Sequence, residues 1–60
     1  MNEYAVYMEW DSYEGSLFME TRTTWVCAFN EQEAIQKATS QFGSNKGFRI
    51  KWVDCEKKNV

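Results

Sequence analysis

The chain has 60 residues, 43% of them hydrophobic and 17% aromatic, with no Pro, no His, two Cys and a net charge of −2. That length holds one domain, residues 1–60, and a chain so short buries only about 60% of the surface its unfolded form exposes, so a deep catalytic cleft is excluded. The composition is too apolar for disorder, Cys27 and Cys55 without His make no metal-ligand pattern, and no apolar run approaches the roughly 18 residues of a membrane span.

Residues 3–10 alternate, with Tyr4, Val6, Met8 and Trp10 on one side and Ala5, Tyr7 and Glu9 on the other, which predicts a strand. Asp11 to Gly15 carries turn chemistry. A second strand follows over 17–29, Thr-rich and ending in Trp25, Val26, Cys27, Ala28 and Phe29. Asn30 reads as a helix N-cap with Glu33 at the capping-box position. Ala34, Ile35, Ala38 and Phe42 recur at helical spacing, which predicts a helix over 31–42. Gly43 is a natural C′ residue to end it. A third strand is expected over 48–55, with a polar tail after it.

The order strand, strand, helix, strand predicts an α+β fold, ββαβ, with one helix packed on a three-stranded antiparallel sheet of order 2-1-3. The helix stripe selects the buried face: Tyr4, Val6 and Met8, then Thr24, Val26 and Ala28, then Phe48 and Ile50. Strict alternation turns Tyr7, Glu9, Trp25, Cys27, Phe29, Arg49, Lys51 and Val53 to the open face. The two Cys then sit on edge strands with a strand between them, too far apart for a disulfide. In a chain without a signal peptide they read as reduced thiols, which implies the cytoplasm.

Charge divides unevenly along this chain. Residues 1–20 hold five carboxylates (Glu3, Glu9, Asp11, Glu14, Glu20) and no base, whereas residues 21–60 hold seven bases against four acids. Glu9, Asp11 and Glu14 cluster at the first turn, but without a pocket to tune them they suggest a solvated acidic edge and no enzyme activity. The open-face aromatics could stack bases, yet the net negative charge disfavours direct nucleic-acid binding. Exposed aromatic and Arg groups more often anchor protein interfaces. Tyr7, Glu9, Asp11, Glu14, Trp25, Phe29, Arg49 and Lys51 are therefore the expected partner-binding residues, with no cofactor and no metal.

Residues 28–55 also carry a pattern: Ala28 closing a strand, a polar cap, Glu33-Ala34, Ala38, Gln41-Phe42, then Gly47-Phe48 with Ile50, Val53 and Cys55. With short gaps, this resembles the small early inhibitor of bacterial RNA polymerase carried by T-odd podoviruses, a single helix on a three-stranded sheet. The paired arginines of that family's last strand align with Trp52 and Asp54. Anti-CRISPR proteins of similar fold share the Glu-Ala helix. The resemblance implies a non-catalytic phage-type inhibitor acting in the host bacterial cytoplasm. Its partner would be a nucleic-acid-handling complex, either RNA polymerase or a CRISPR or other anti-phage defence complex. The alternatives are a homodimer through the open sheet face, or a single-strand nucleic-acid binding module.

Overall fold

The computed structural model describes residues 1–12 and 18–58. Strands β1 (Asn2–Asp11) and β2 (Met19–Ala28), helix α1 (Glu31–Phe42) and strand β3 (Arg49–Lys57) follow in that order. They form an α+β, ββαβ arrangement whose three antiparallel strands lie β2-β1-β3. The expected turn at Asp11 to Gly15 falls mainly outside the described residues, as does Glu14. The expected tail is shorter, because β3 runs on to Lys57.

Local chemistry sets the helix ends. Asn30 is extended, and its side-chain oxygen accepts from the Glu33 N–H at 2.8 Å. The Glu33 carboxylate reaches back to the Phe29 N–H at 2.7 Å, so one reciprocal pair satisfies two backbone donors at the helix start. At the other end Gly43 follows the last helical residue, Phe42, as expected. Gly43 is right-handed, with φ −65°, and continues the turn by donating to the Thr39 carbonyl. Asn45 does the capping: its backbone N–H and its side-chain amide both donate to the Phe42 carbonyl, at 3.1 and 2.7 Å. Among the described glycines it is Gly47 that is left-handed, with φ 72°.

Tyr4, Val6, Met8 and Trp10 of β1, Val26 and Ala28 of β2, and Ala34 and Ala38 of α1 form the buried core. Phe42, Phe48, Ile50 and Val53 close its margin. Alanines at Ala28, Ala34 and Ala38 let the helix lie close to β2. At the end of β1, Trp10 is covered by Phe42, the last residue of α1, and by Phe48, with ring centroids at 5.7 and 6.4 Å. The Arg22 guanidinium stands 5.7 Å from the Trp10 ring centre and 5.8 Å from that of Phe42, so a cation over two rings completes the roof.

Val53 is the main departure from strict alternation. Tyr7 pairs with Trp52 but Met8 pairs with Ile50, which leaves Lys51 as an extra residue in β3. This β-bulge reverses the alternation beyond it. Val53, expected on the open face, turns to the core opposite Val6, and Trp52 turns outward opposite Tyr7. The smaller, β-branched side chain enters the core and the indole leaves it. A second irregularity leaves Glu56 unpaired between Cys55 and Lys57. Both cysteines are free, Cys27 opposite Glu3 on the open side and Cys55 opposite Tyr4 on the helix side.

Two substitutions test these local devices. Asn30→Ala should lower unfolding stability by about 1 kcal/mol through loss of the cap. Gly47→Ala should cost about 1 kcal/mol or more, because a Cβ there would meet the Asp11 carboxylate at 2.7 Å in a left-handed backbone. Urea titration of each variant against the parent chain reads both values.

Candidate docking face

Register fixes which side chains share the side of the sheet that α1 leaves uncovered. Across β2, β1 and β3 run the rows Trp25, Ala5, Asp54; then Thr23, Tyr7, Trp52; then Thr21, Glu9, Arg49. Tyr7, Glu9, Trp25, Arg49 and Lys51 therefore come together as expected, on one face. Trp52 joins them, which strict alternation along β3 could not foresee. The only sequence signal for it is the adjacent pair Trp52-Val53, two apolar residues of which a two-sided strand can bury one.

The centre of this face is aromatic. The Tyr7 and Trp52 rings lie 4.6 Å apart at 32°, an offset contact favourable for aromatic pairs. Trp25 sits diagonally from Tyr7 across β2, within reach for so long a side chain. Ala5, between them, is 0% exposed although no helix lies over it. Its neighbours on this face are Trp25, directly opposite, and the Tyr7–Trp52 pair in the next row, which together make a low aromatic platform. Trp25 and Trp52 themselves remain 58% and 54% exposed.

Beside the platform the charges are paired. Glu9 accepts from Arg49 Nε at 2.5 Å, and its second carboxylate oxygen lies 3.4 Å from Lys51 Nζ. Arg49 also donates from Nη1 to the Gly47 carbonyl at 2.9 Å, and its Nη2 points at the Met19 sulfur at 3.5 Å. The guanidinium thus crosses β1 and ties all three strands. The acidic first half and the basic last strand are separate in sequence but adjacent in the sheet, so one carboxylate of the first, Glu9, is shared by two bases of the second. The Lys51 bulge matters here too, since it places two successive side chains, Lys51 and Trp52, along the same cleft. That cleft, about 350 Å³, is lined by Tyr7, Glu9, Thr21, Thr23, Lys51 and Trp52 among others.

Of the remaining expected site residues, Asp11 lies at the end of this face and Phe29 beyond it. Asp11 is opposite Met19 at the end of β1, where its N–H donates to the Lys46 carbonyl and its carboxylate packs on Gly47. It follows Glu9 on the same side of β1, and its backbone bond ties the loop before β3 to the strand. Phe29 is exposed but stands past the end of β2, in the bend before the helix cap, so the ladder does not place it on this face. Among the described residues no cluster of three or more His, Cys, Asp or Glu side chains could hold a metal ion, and no helix is long and apolar enough to cross a membrane.

The Glu9 carboxyl is held below its ordinary value, first by the hydrogen bond from Arg49, against some desolvation, and further by the charges of Arg49 and Lys51. Its side chain is only 14% exposed. A carboxyl held low in the folded state adds stability above the ordinary carboxylate range and loses it as pH falls through the folded value. Thermal melts should therefore show a Glu9→Gln variant losing less stability than the parent between neutral pH and pH 3. An unchanged acid limb would remove Glu9 as its source. Comparison with protein-family models, curated proteins and solved structures finds no match to this chain.

Proposed function

We propose that this protein acts by binding and not by catalysis. Its open sheet face docks on a protein subunit of a bacterial nucleic-acid-handling complex, in the host cytoplasm, and the bound domain blocks the nucleic-acid path. The observation that carries the reading is the platform of Trp25, Tyr7 and Trp52, two of whose rings are more than half exposed. Trp, Tyr and Arg are the side chains that dominate binding energy when a partner removes them from water. They offer large area at low entropic cost, and here the sheet already fixes them.

Protein is favoured over a bare nucleic-acid strand by the state of the cations. Arg49 and Lys51 both face Glu9, so a phosphate would have to compete with a carboxylate already in place. A protein surface can accept the intact Glu9, Arg49 and Lys51 group at its rim, because that group offers both signs of charge. RNA polymerase is the first target to test, on the resemblance of residues 28–55 to the podovirus early inhibitor, and a CRISPR effector complex is the second.

The test is equilibrium binding of the pure chain to purified bacterial RNA polymerase holoenzyme and to a CRISPR effector complex. A promoter-opening or target-DNA assay run beside it reads the block. One of the two complexes should bind and be inhibited. Trp25→Ser and Trp52→Ser should each weaken that binding by about tenfold or more. Failure of both complexes to bind would dismiss the target. Binding that is indifferent to both tryptophan variants would dismiss the face.

A further inference from the structure

The two edges of the sheet are built differently, and only one is guarded. β3 is broken by extra residues at Lys51 and Glu56 and carries Arg49, Lys51 and Lys57. Bulges and cations are the usual means of discouraging another strand from adding to an edge. β2 has no bulge: its register with β1 is unbroken from Met19 to Ala28, and it contains no Lys and no Pro, its one cation being Arg22. It is rich in Thr and lies at the outside of the sheet.

The pairing pattern shows which backbone groups of β2 are free. The Ser12 N–H donates to the Phe18 carbonyl at 3.0 Å, in the register that sets Trp10 against Glu20 and Met8 against Arg22. Hydrogen-bonded pairs alternate along an antiparallel ladder, so the even-numbered residues of β2 bond to β1. Met19, Thr21, Thr23, Trp25 and Cys27 then direct their N–H and C=O groups outward. Lys37 agrees with this, since its amine reaches the Cys27 carbonyl at 2.5 Å. It also closes that end of the edge, which leaves the stretch around Thr21 and Thr23 open.

We propose that this edge pairs antiparallel with the β2 of a second copy, about a two-fold axis at Thr21, to make one continuous sheet of two joined three-stranded halves. Charge selects the register. A two-fold at Arg22 would set Arg22 against Arg22, and one at Glu20 would set Glu20 against Glu20. The two-fold at Thr21 sets Glu20 of each copy opposite Arg22 of the other, twice, on the helix side of the sheet. Cross-strand pairs of opposite charge favour a register and like pairs oppose it. Met19 then faces Thr23 of the second copy, and the outward groups of Met19, Thr21 and Thr23 supply about six backbone hydrogen bonds. Phe42, the last residue of α1, already stands beside Arg22 under the same guanidinium. Thr21 therefore lies at the helix end, where two helices related by this axis need not overlap. The contact is isologous and closed, so it stops at two copies. It leaves both aromatic platforms on the same side, and it does not depend on the identity of any other partner.

Sedimentation equilibrium of the full chain from low to high micromolar concentration tests the pairing. The expected result is a monomer that becomes a dimer with concentration. Glu20→Arg should weaken association by about tenfold or more, and combining it with Arg22→Glu should restore it. Thr21→Pro, which removes an outward N–H that β1 does not use, should abolish it. Circular dichroism checks that each variant is folded, and if the proline variant is not, the exposed Glu20→Arg change and its rescue decide alone. A monomer at every concentration, a dimer indifferent to Glu20→Arg, or a charge swap that fails to rescue would overturn the proposal.

Discussion

A single helix of 12 residues must shelter a sheet whose central strand has 10 residues. At about 1.5 Å per helical residue and 3.3 Å per strand residue, the helix covers roughly half of the strand's length and only one of its sides. Everything distinctive in this molecule answers that shortage of cover. At the Trp10 end, only the last helical residue, Phe42, reaches the indole, and Phe48 and Arg22 complete the cover. On the far side, Ala5 is buried in a row next to the Tyr7–Trp52 pair, with Trp25 opposite it, on the face that α1 does not cover. The indoles on that face are not themselves fully buried, so apolar surface is left facing water.

The bulge at Lys51 is the pivot of that arrangement. It adds Trp52 to the platform, sends Val53 into the core and brings the Lys51 amine to Glu9. A β3 with strict alternation would have left Val53 outside and forced an indole under a helix already packed close by alanines. One extra residue therefore reconciles core volume with surface chemistry. Bulges often re-aim side chains in this way at functional edges.

Antiparallel pairing also changes the meaning of the charge distribution. Residues far apart in the chain become neighbours, and Glu9 takes up both Arg49 and Lys51. What reads along the chain as two electrical poles is in space a local ion-pair group beside an aromatic platform. Such a group contributes orientation and selectivity at an interface rim more than affinity, so the rings are left as the source of binding energy.

Elements whose signals are local were legible in the sequence. Strand alternation over Tyr4 to Trp10, the Asn30 and Glu33 cap and the Ala34 to Phe42 stripe depend on residues within a few positions of one another, and they determined the strands, the helix and the order β2-β1-β3. They also placed Tyr7, Glu9 and Trp25 together, because period-2 geometry carries along an unbroken strand. Three things were settled only by the tertiary structure. The Phe42 carbonyl took its cap from Asn45, since the chain stays right-handed at Gly43 and becomes left-handed at Gly47. Trp52 and Val53 exchanged faces, since the choice depends on what volume the core across β1 can accept. The partners of Glu9 were fixed by a register between strands about 40 residues apart, and no pattern within either strand encodes that register.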